Sequence, residues 1–205
     1  MKPGGCSCFV TARYPGSMAK RGAYAKGVVK REEILEAALE IVGRLGYRNA
    51  SVREIADAVG LSPAGLLHYF GTKEQLFVEI LRARDAQDIG GSDEIEFFDG
   101  FLQVVRHNTD VPGLVQLYTQ LQAEAADPTH PAHDFFLERT ARVHAAAREA
   151  IAVAQTEGRM RSDLDPEWII RAGHALADGL QNAWMLDPTI DMAADVERFF
   201  ALLRP

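Results

Sequence analysis

Apolar positions recur at intervals of three and four along most of this chain, the spacing of one face of an α-helix. Ile34, Ala38, Ile41 and Leu45 mark a first such face from Lys30 onward, and Gly46 stops it. Ile55, Ala56 and Val59 mark a short second one, ended by Gly60, where glycine lets the chain turn left-handed. A third short helix is predicted over Pro63–Tyr69, broken by Gly71, and a fourth from Thr72 to about Gln87. After a break at Ile89-Gly90-Gly91-Ser92 the periodicity returns over Asp93–Asn108, Pro112–Ala126, Ala132–Thr156, Pro166–Leu186 and Asp191–Leu203. No alternating stretch is long enough to read as a strand. The pattern therefore predicts an all-α protein.

The short helices carry their own start signals. Ser51 can cap the helix it precedes, with Glu54 as its capping-box partner. Ser62 caps the next, with Pro63 in the first turn, where a missing N–H costs nothing. Thr72 caps the one after, with Lys73 beside the cap. A helix, a glycine turn and a short second helix led by the small residues Ala64 and Gly65 make a helix-turn-helix. Small leading side chains let the helix tip approach base edges in a major groove.

Three parts follow from this layout. Residues 1–29 are Gly-rich and basic and are expected to form a disordered arm. Residues 30–88 form a three-helix helix-turn-helix domain with a connecting helix. Residues 92–205 form a C-terminal helical bundle. Met18 precedes AKRGAYAKG and reads as a start of its own, so residues 1–17 are either a leader or part of the arm. Lys20, Arg21, Lys26, Lys30 and Arg31 are its candidates for phosphate or minor-groove contact.

The run IADAVGLS, the helix ending HYF and the following TKEQLF resemble the DNA-binding domain of the TetR family of transcriptional regulators. The resemblance implies a palindromic duplex operator, a homodimer paired through the last two helices, and usually repression relieved by a small effector. On this chain, Pro63, Ala64 and Gly65 would form the tip of the helix that enters the major groove. Arg53 is the candidate for a direct base contact, because a guanidinium can pair bidentately with guanine. Ser51, Ser62, Tyr69 and Lys73 would hold phosphates, helped by helix N-termini, and His68 could do either. The chain departs from the family at Leu67, where many members carry a DNA-touching tyrosine, and at Ala64-Gly65, where Gly-Thr is more usual.

Charge sharpens this picture. The 205 residues carry a net charge of −7, which looks wrong for a DNA binder, but the charges are segregated. Residues 1–73 hold eleven Lys and Arg against six Asp and Glu; residues 74–205 hold eleven against twenty-three. Positive potential is thus concentrated on the end that bears the helix-turn-helix. The two cysteines, Cys6 and Cys8, cannot staple distant parts of the chain, and a reducing cytoplasm is the expected compartment. No run of eighteen apolar residues predicts a membrane span. Nucleophile-elbow, phosphate-loop and His-Glu-x-x-His motifs are missing from the sequence, so neither an enzyme nor a cofactor is expected. His130 and His133 in THPAH read as a solvated loop rather than a metal site.

The bundle holds the remaining candidates. Helical bundles lodge small molecules between their helices in largely apolar cavities. Phe101, Val105, His107, Tyr118, Gln122, Phe135, His144, His174 and Trp184 could line one. Aromatics, three histidines and little buried positive charge favour an apolar or aromatic effector. For assembly, the small residues Ala172, Gly173, Ala175, Ala177, Gly179 and Ala183 would let a second helix approach closely. Ile169, Leu176, Gly179, Leu180, Ala183, Val196, Phe199 and Phe200 are the interface candidates. Two rival functions are a regulator with no effector, controlled by a protein partner or its own concentration, and an enzyme housed in the acidic domain.

Overall fold

The computed structural model describes residues 18–46, 49–89 and 97–205. Among them lie nine helices and no strand. They are α1 (Met18–Leu45), α2 (Val52–Ala58), α3 (Pro63–Phe70), α4 (Lys73–Ile89), α5 (Phe97–Asn108), α6 (Pro112–Glu124), α7 (His133–Thr156), α8 (Pro166–Leu186) and α9 (Met192–Leu202). The all-α architecture is as the periodicity predicts, a helix-turn-helix at the front and a helical bundle behind it.

Local signals act as expected at the short helices. The Ser51 and Glu54 side chains each bond the other's backbone N–H, at 3.1 and 2.8 Å. Ser62 Oγ accepts from the Gly65 N–H at 3.0 Å. Thr72 caps α4 in the same reciprocal way with Gln75. Gly46, Gly60, Gly71 and Gly158 all take positive φ, where a Cβ would be strained.

The start of α1 differs from expectation. The helix begins at Met18, not Lys30, so the arm is helical from Met18 on. Met, Ala, Lys and Arg favour helix strongly enough to carry Gly22 and Gly27, at about 1 kcal/mol each. Residues 1–17, Tyr47 and the Gly90-Gly91 break lie outside the described residues.

Helices α1 to α4 close over Ile34, Ala38, Val42, Ile55, Leu66, Phe77 and Ile80, all buried. The same core continues into α6 and the start of α7 through Leu114, Leu117, Leu121 and Phe135. The hydrophobic packing therefore crosses the junction expected near residue 90. Residue 113 makes this possible. A Cβ there would stand 1.9 Å from the Val42 carbonyl oxygen and 2.8 Å from Gly46 Cα. Only glycine lets α6 lie this close to the last turn of α1. The rear of the bundle packs α5, α6, α8 and α9 around Leu102, Val115, Trp184 and Val196, and α7 and α8 around Ile151, Ile169 and Ile170.

Two glycines inside helices should respond oppositely to alanine. Gly113→Ala meets fixed backbone and should lower stability by about 1–3 kcal/mol in a urea titration. Gly43→Ala meets open space and should gain up to about 1 kcal/mol of helix propensity. An unchanged midpoint for Gly113→Ala would mean that α1 and α6 do not touch there in solution.

Candidate nucleic-acid interface and ligand cavity

Burial of the inner faces of α2 and α3 fixes what remains outside. Ile55, Ala56, Leu66 and Phe70 point into the core. Ser51, Arg53, Ser62, Pro63, Ala64, His68 and Lys73 are left exposed, with Gly65 and Tyr69 half-buried. The helix-turn-helix thus leaves all nine candidates for DNA contact at least partly exposed. Arg53 is 82% exposed and only loosely paired, with Asp57 at 3.9 Å. Gly65 has a local role as well: a Cβ there would sit 3.1 Å from Ser62 Oγ and crowd the cap. Leu67 packs against the core of the head.

Two arm candidates turn out to be structural. Lys30 Nζ donates to the Val59 carbonyl at 2.8 Å, holding the C-terminal end of α2, and pairs with Glu33. Arg31 pairs with Glu79 of α4, and its guanidinium lies 4.9 Å from the Phe70 ring centroid. Both groups join helices within the head.

Behind the head, α4 to α9 line a partly open cavity of about 540 Å³. This falls within the usual range for small-molecule sites. Most of its wall is apolar and aromatic: Phe97, Phe98 and Phe101 of α5 meet Phe199 and Phe200 of α9, with Ile151, Ile169 and Ile170 around them. The rings touch edge-on and offset, Phe98 to Phe200 at 5.1 Å and Phe101 to Phe200 at 6.1 Å between centroids. Gly173 admits the Phe199 ring, since a Cβ there would stand 3.2 Å from Phe199 Cε1.

A smaller part of the wall is polar. Asp85 of α4 accepts from Arg139 Nε at 3.0 and 3.1 Å and from Arg142 Nη2 at 3.1 Å. Arg139 also donates to the Tyr118 hydroxyl at 3.3 Å and lies over its ring. Burial pushes the Tyr118 phenol up to about 12, so it stays un-ionised. Burial also opposes the charge on Arg139, but Tyr118, once ionised at strongly alkaline pH, and Asp85 outweigh it and hold the guanidinium above its ordinary value. Arg84, buried, donates to Asn108 on α5. Asp178 accepts from Gln122 at 2.8 Å and faces His174 Nε2 at 3.5 Å. His174 Nδ1 lies 2.8 Å from His144 Nε2. Burial, then the neighbouring His174, holds His144 below the usual imidazole value.

The cavity brings together Phe101, Val105, Tyr118, His144 and His174 of the sequence-predicted ligand residues. Gln122 stands one bond behind, on Asp178. His107 is half-exposed near Asp110, because its place on α5 turns outward. Phe135 and Trp184 are buried in neighbouring cores instead. The expectation of little buried positive charge does not hold: Arg84 is 7% exposed, and Arg139 also lines the cavity. Arg139 was detectable in sequence. It follows Phe135 and Phe136 in the register that continues through Val143, Ala147 and Ile151, a cation on an apolar stripe.

The assembly candidates divide likewise. Ile169 and Val196 are buried, Leu180 packs into the rear core, and Phe199 and Phe200 line the cavity. Within the single chain, Phe199 and Phe200 remain half-buried. Leu176, Gly179 and Ala183 stay on the outer face of α8, exposed or half-buried. Trp168 and Leu186, 48% and 89% exposed, lie on that face, and Leu202 of α9 is 73% exposed. His130 in the α6–α7 loop packs on Glu124, and His133, the first residue of α7, on the Ala125 carbonyl.

Residues 34–80 match the family model described as bacterial regulatory proteins, tetR family. The chain is 32% identical over 149 residues to the HTH-type transcriptional repressor AcnR of Corynebacterium efficiens, covering 69% of this chain and 74% of that one. It is 27% identical over 175 residues to the HTH-type transcriptional repressor KstR2 of Rhodococcus jostii, covering 85% and 74%. A regulator from Saccharomonospora viridis, solved in complex with choline, shares the fold at a TM-score of 0.66 and 22% identity, over 83% of this chain and 95% of that one. Among the described residues no helix is long and apolar enough to cross a membrane. The chain belongs to the TetR family of DNA-binding transcriptional repressors and is a regulator rather than an enzyme.

Proposed function

We propose that this protein is a ligand-responsive repressor that binds a palindromic duplex operator as a homodimer in the cytoplasm and leaves it when a small, largely apolar effector fills the cavity. The observation that carries this reading is the cavity and its wall. Arg84 and Asp85 line it from α4, the same helix that starts at Lys73 beside the reading helix. A ligand with different affinity for two positions of α4 would shift the spacing of two reading heads. The rival without an effector calls for a sealed core; a 540 Å³ opening supports the effector instead.

On DNA, α3 enters the major groove with Pro63, Ala64 and Gly65 leading. Arg53 reads a base, while Ser51, Ser62, Tyr69 and Lys73 hold phosphates; His68 serves either role. The test begins with an operator selected from random duplexes. Lys73→Ala should weaken all sequences alike and flatten the salt dependence by about one unit of slope. Arg53→Ala should cost about 1–3 kcal/mol and relax preference at one base position. Equal, sequence-independent losses for both would remove Arg53 from base reading.

For assembly, the outer face of α8 offers a ladder of small residues flanked by exposed Trp168 and Leu186. Nothing lies within 4 Å of a Cβ built at Gly179. A bulky side chain there fits the single chain but would hold a second copy away. Gly179→Leu should therefore leave the fold intact and shift sedimentation toward monomer. An undisturbed dimer would place the interface elsewhere.

A further inference from the structure

The polar end of the cavity has a surplus of cationic donors over acceptors. Arg139 and Arg142 share the single carboxylate of Asp85. A guanidinium carries five N–H groups. Among the described residues, Asp85 and the Tyr118 oxygen are the acceptors these two arginines use. Asp178 is engaged elsewhere, by Gln122 and His174. We propose that the effector is an amphipathic monocarboxylate, its head seated on Arg139 and Arg142 and its hydrocarbon body among Phe97, Phe98, Phe101, Phe199 and Phe200. This rests on the effector reading above and adds the chemical class of the ligand.

Charge balance decides between an anion and a cation at this end. An incoming carboxylate makes a cluster of two carboxylates and two guanidiniums. An incoming cation would make three cations around Asp85 or would have to displace Arg139. Displacement would strand a largely buried guanidinium, which is strongly unfavourable. Tyr118 adds no competing negative charge, because its phenol remains protonated. Planar carboxylate and guanidinium also match in geometry, two N–H groups to two oxygens.

The head site has a consequence for the rest of the molecule. Asp85 belongs to α4, while Arg139 and Arg142 belong to α7. A ligand carboxylate competes with Asp85 for the same guanidiniums and loosens the tie between those helices. Asp85 is therefore a competitor of the ligand as well as part of its wall.

Calorimetry on the full chain with octanoate, 1-octanol and octyltrimethylammonium separates the head from the tail, with 4-phenylbutyrate and its alcohol and trimethylammonium counterparts as a second tail. Both carboxylates should bind about tenfold or more tighter than their matched alcohols and cations, the scale of a hydrogen bond to a charged group. Arg142→Gln, at a side chain 53% exposed, should lower carboxylate affinity by about tenfold and leave the alcohols unchanged. Asp85→Asn should raise carboxylate affinity, since it removes the competing charge; thermal unfolding checks that each variant is folded. Should Asp85→Asn not fold, Arg142→Gln decides alone. Equal binding of acid and alcohol, tighter binding of the cation, or no loss in Arg142→Gln overturns the carboxylate while leaving an effector cavity. Failure of all six compounds to bind overturns both.

Discussion

Gly113 lets α6 lie against the last turn of α1, and the arrangement of reading head and cavity follows from that contact. With α6 in place, Leu114, Leu117 and Leu121 complete a core begun by Ile34, Ala38 and Phe77. The head and the front of the bundle then share one hydrophobic interior. Packed interiors transmit displacement because they resist compression. A change in the bundle that shifts α6 or α4 must reach the helix-turn-helix or break this core.

Helix α4 is the second connection, and it is electrostatic at its far end. Its seventeen residues span about 25 Å at the usual rise. Leu76, Phe77 and Ile80 anchor the near end in the head. Arg82 reaches Glu138 at 3.5 Å and lies over the Phe135 ring of α7. Asp85 is held by Arg139 and Arg142 of the same helix. The apolar anchor of Leu76, Phe77 and Ile80 lies away from the cavity, whereas the ion-pair anchor lies in its wall. That asymmetry makes the cavity end of α4 the place where binding chemistry can act on the position of the head.

Much of this was legible in the sequence, for local reasons. Caps, glycine stops and helical periodicity depend on near neighbours, so Ser51 with Glu54, Gly60, Ser62 and Gly71 could be placed from the string alone. The exposed set proposed to face DNA follows, because knowing the inner face of a short helix also gives its outer one. The cavity was only half legible. Phe101, Tyr118, His144 and His174 were chosen for chemistry and do meet there, but Trp184 and Phe135 fill neighbouring cores. A large aromatic on an inner face carries no mark of whether its neighbours leave a void. Asp85, Arg142 and Asp178 acquire their role only when separate helices meet. Gly113 was silent for the same reason: its constraint is a carbonyl on α1, far away in sequence. Phe199 and Phe200 were read as interface residues because the resemblance implies pairing through the last two helices; in the single chain they are half-buried and also line the cavity.

The most direct test of the account is the affinity of octanoate measured on the protein alone and on the protein saturated with its selected operator. Coupling through α4 predicts weaker octanoate binding on the operator complex, by the factor with which octanoate weakens operator binding, typically about 5–150-fold. Octanoate that binds the cavity with the same affinity in both states would contradict the claim that the cavity and the reading head are one switch.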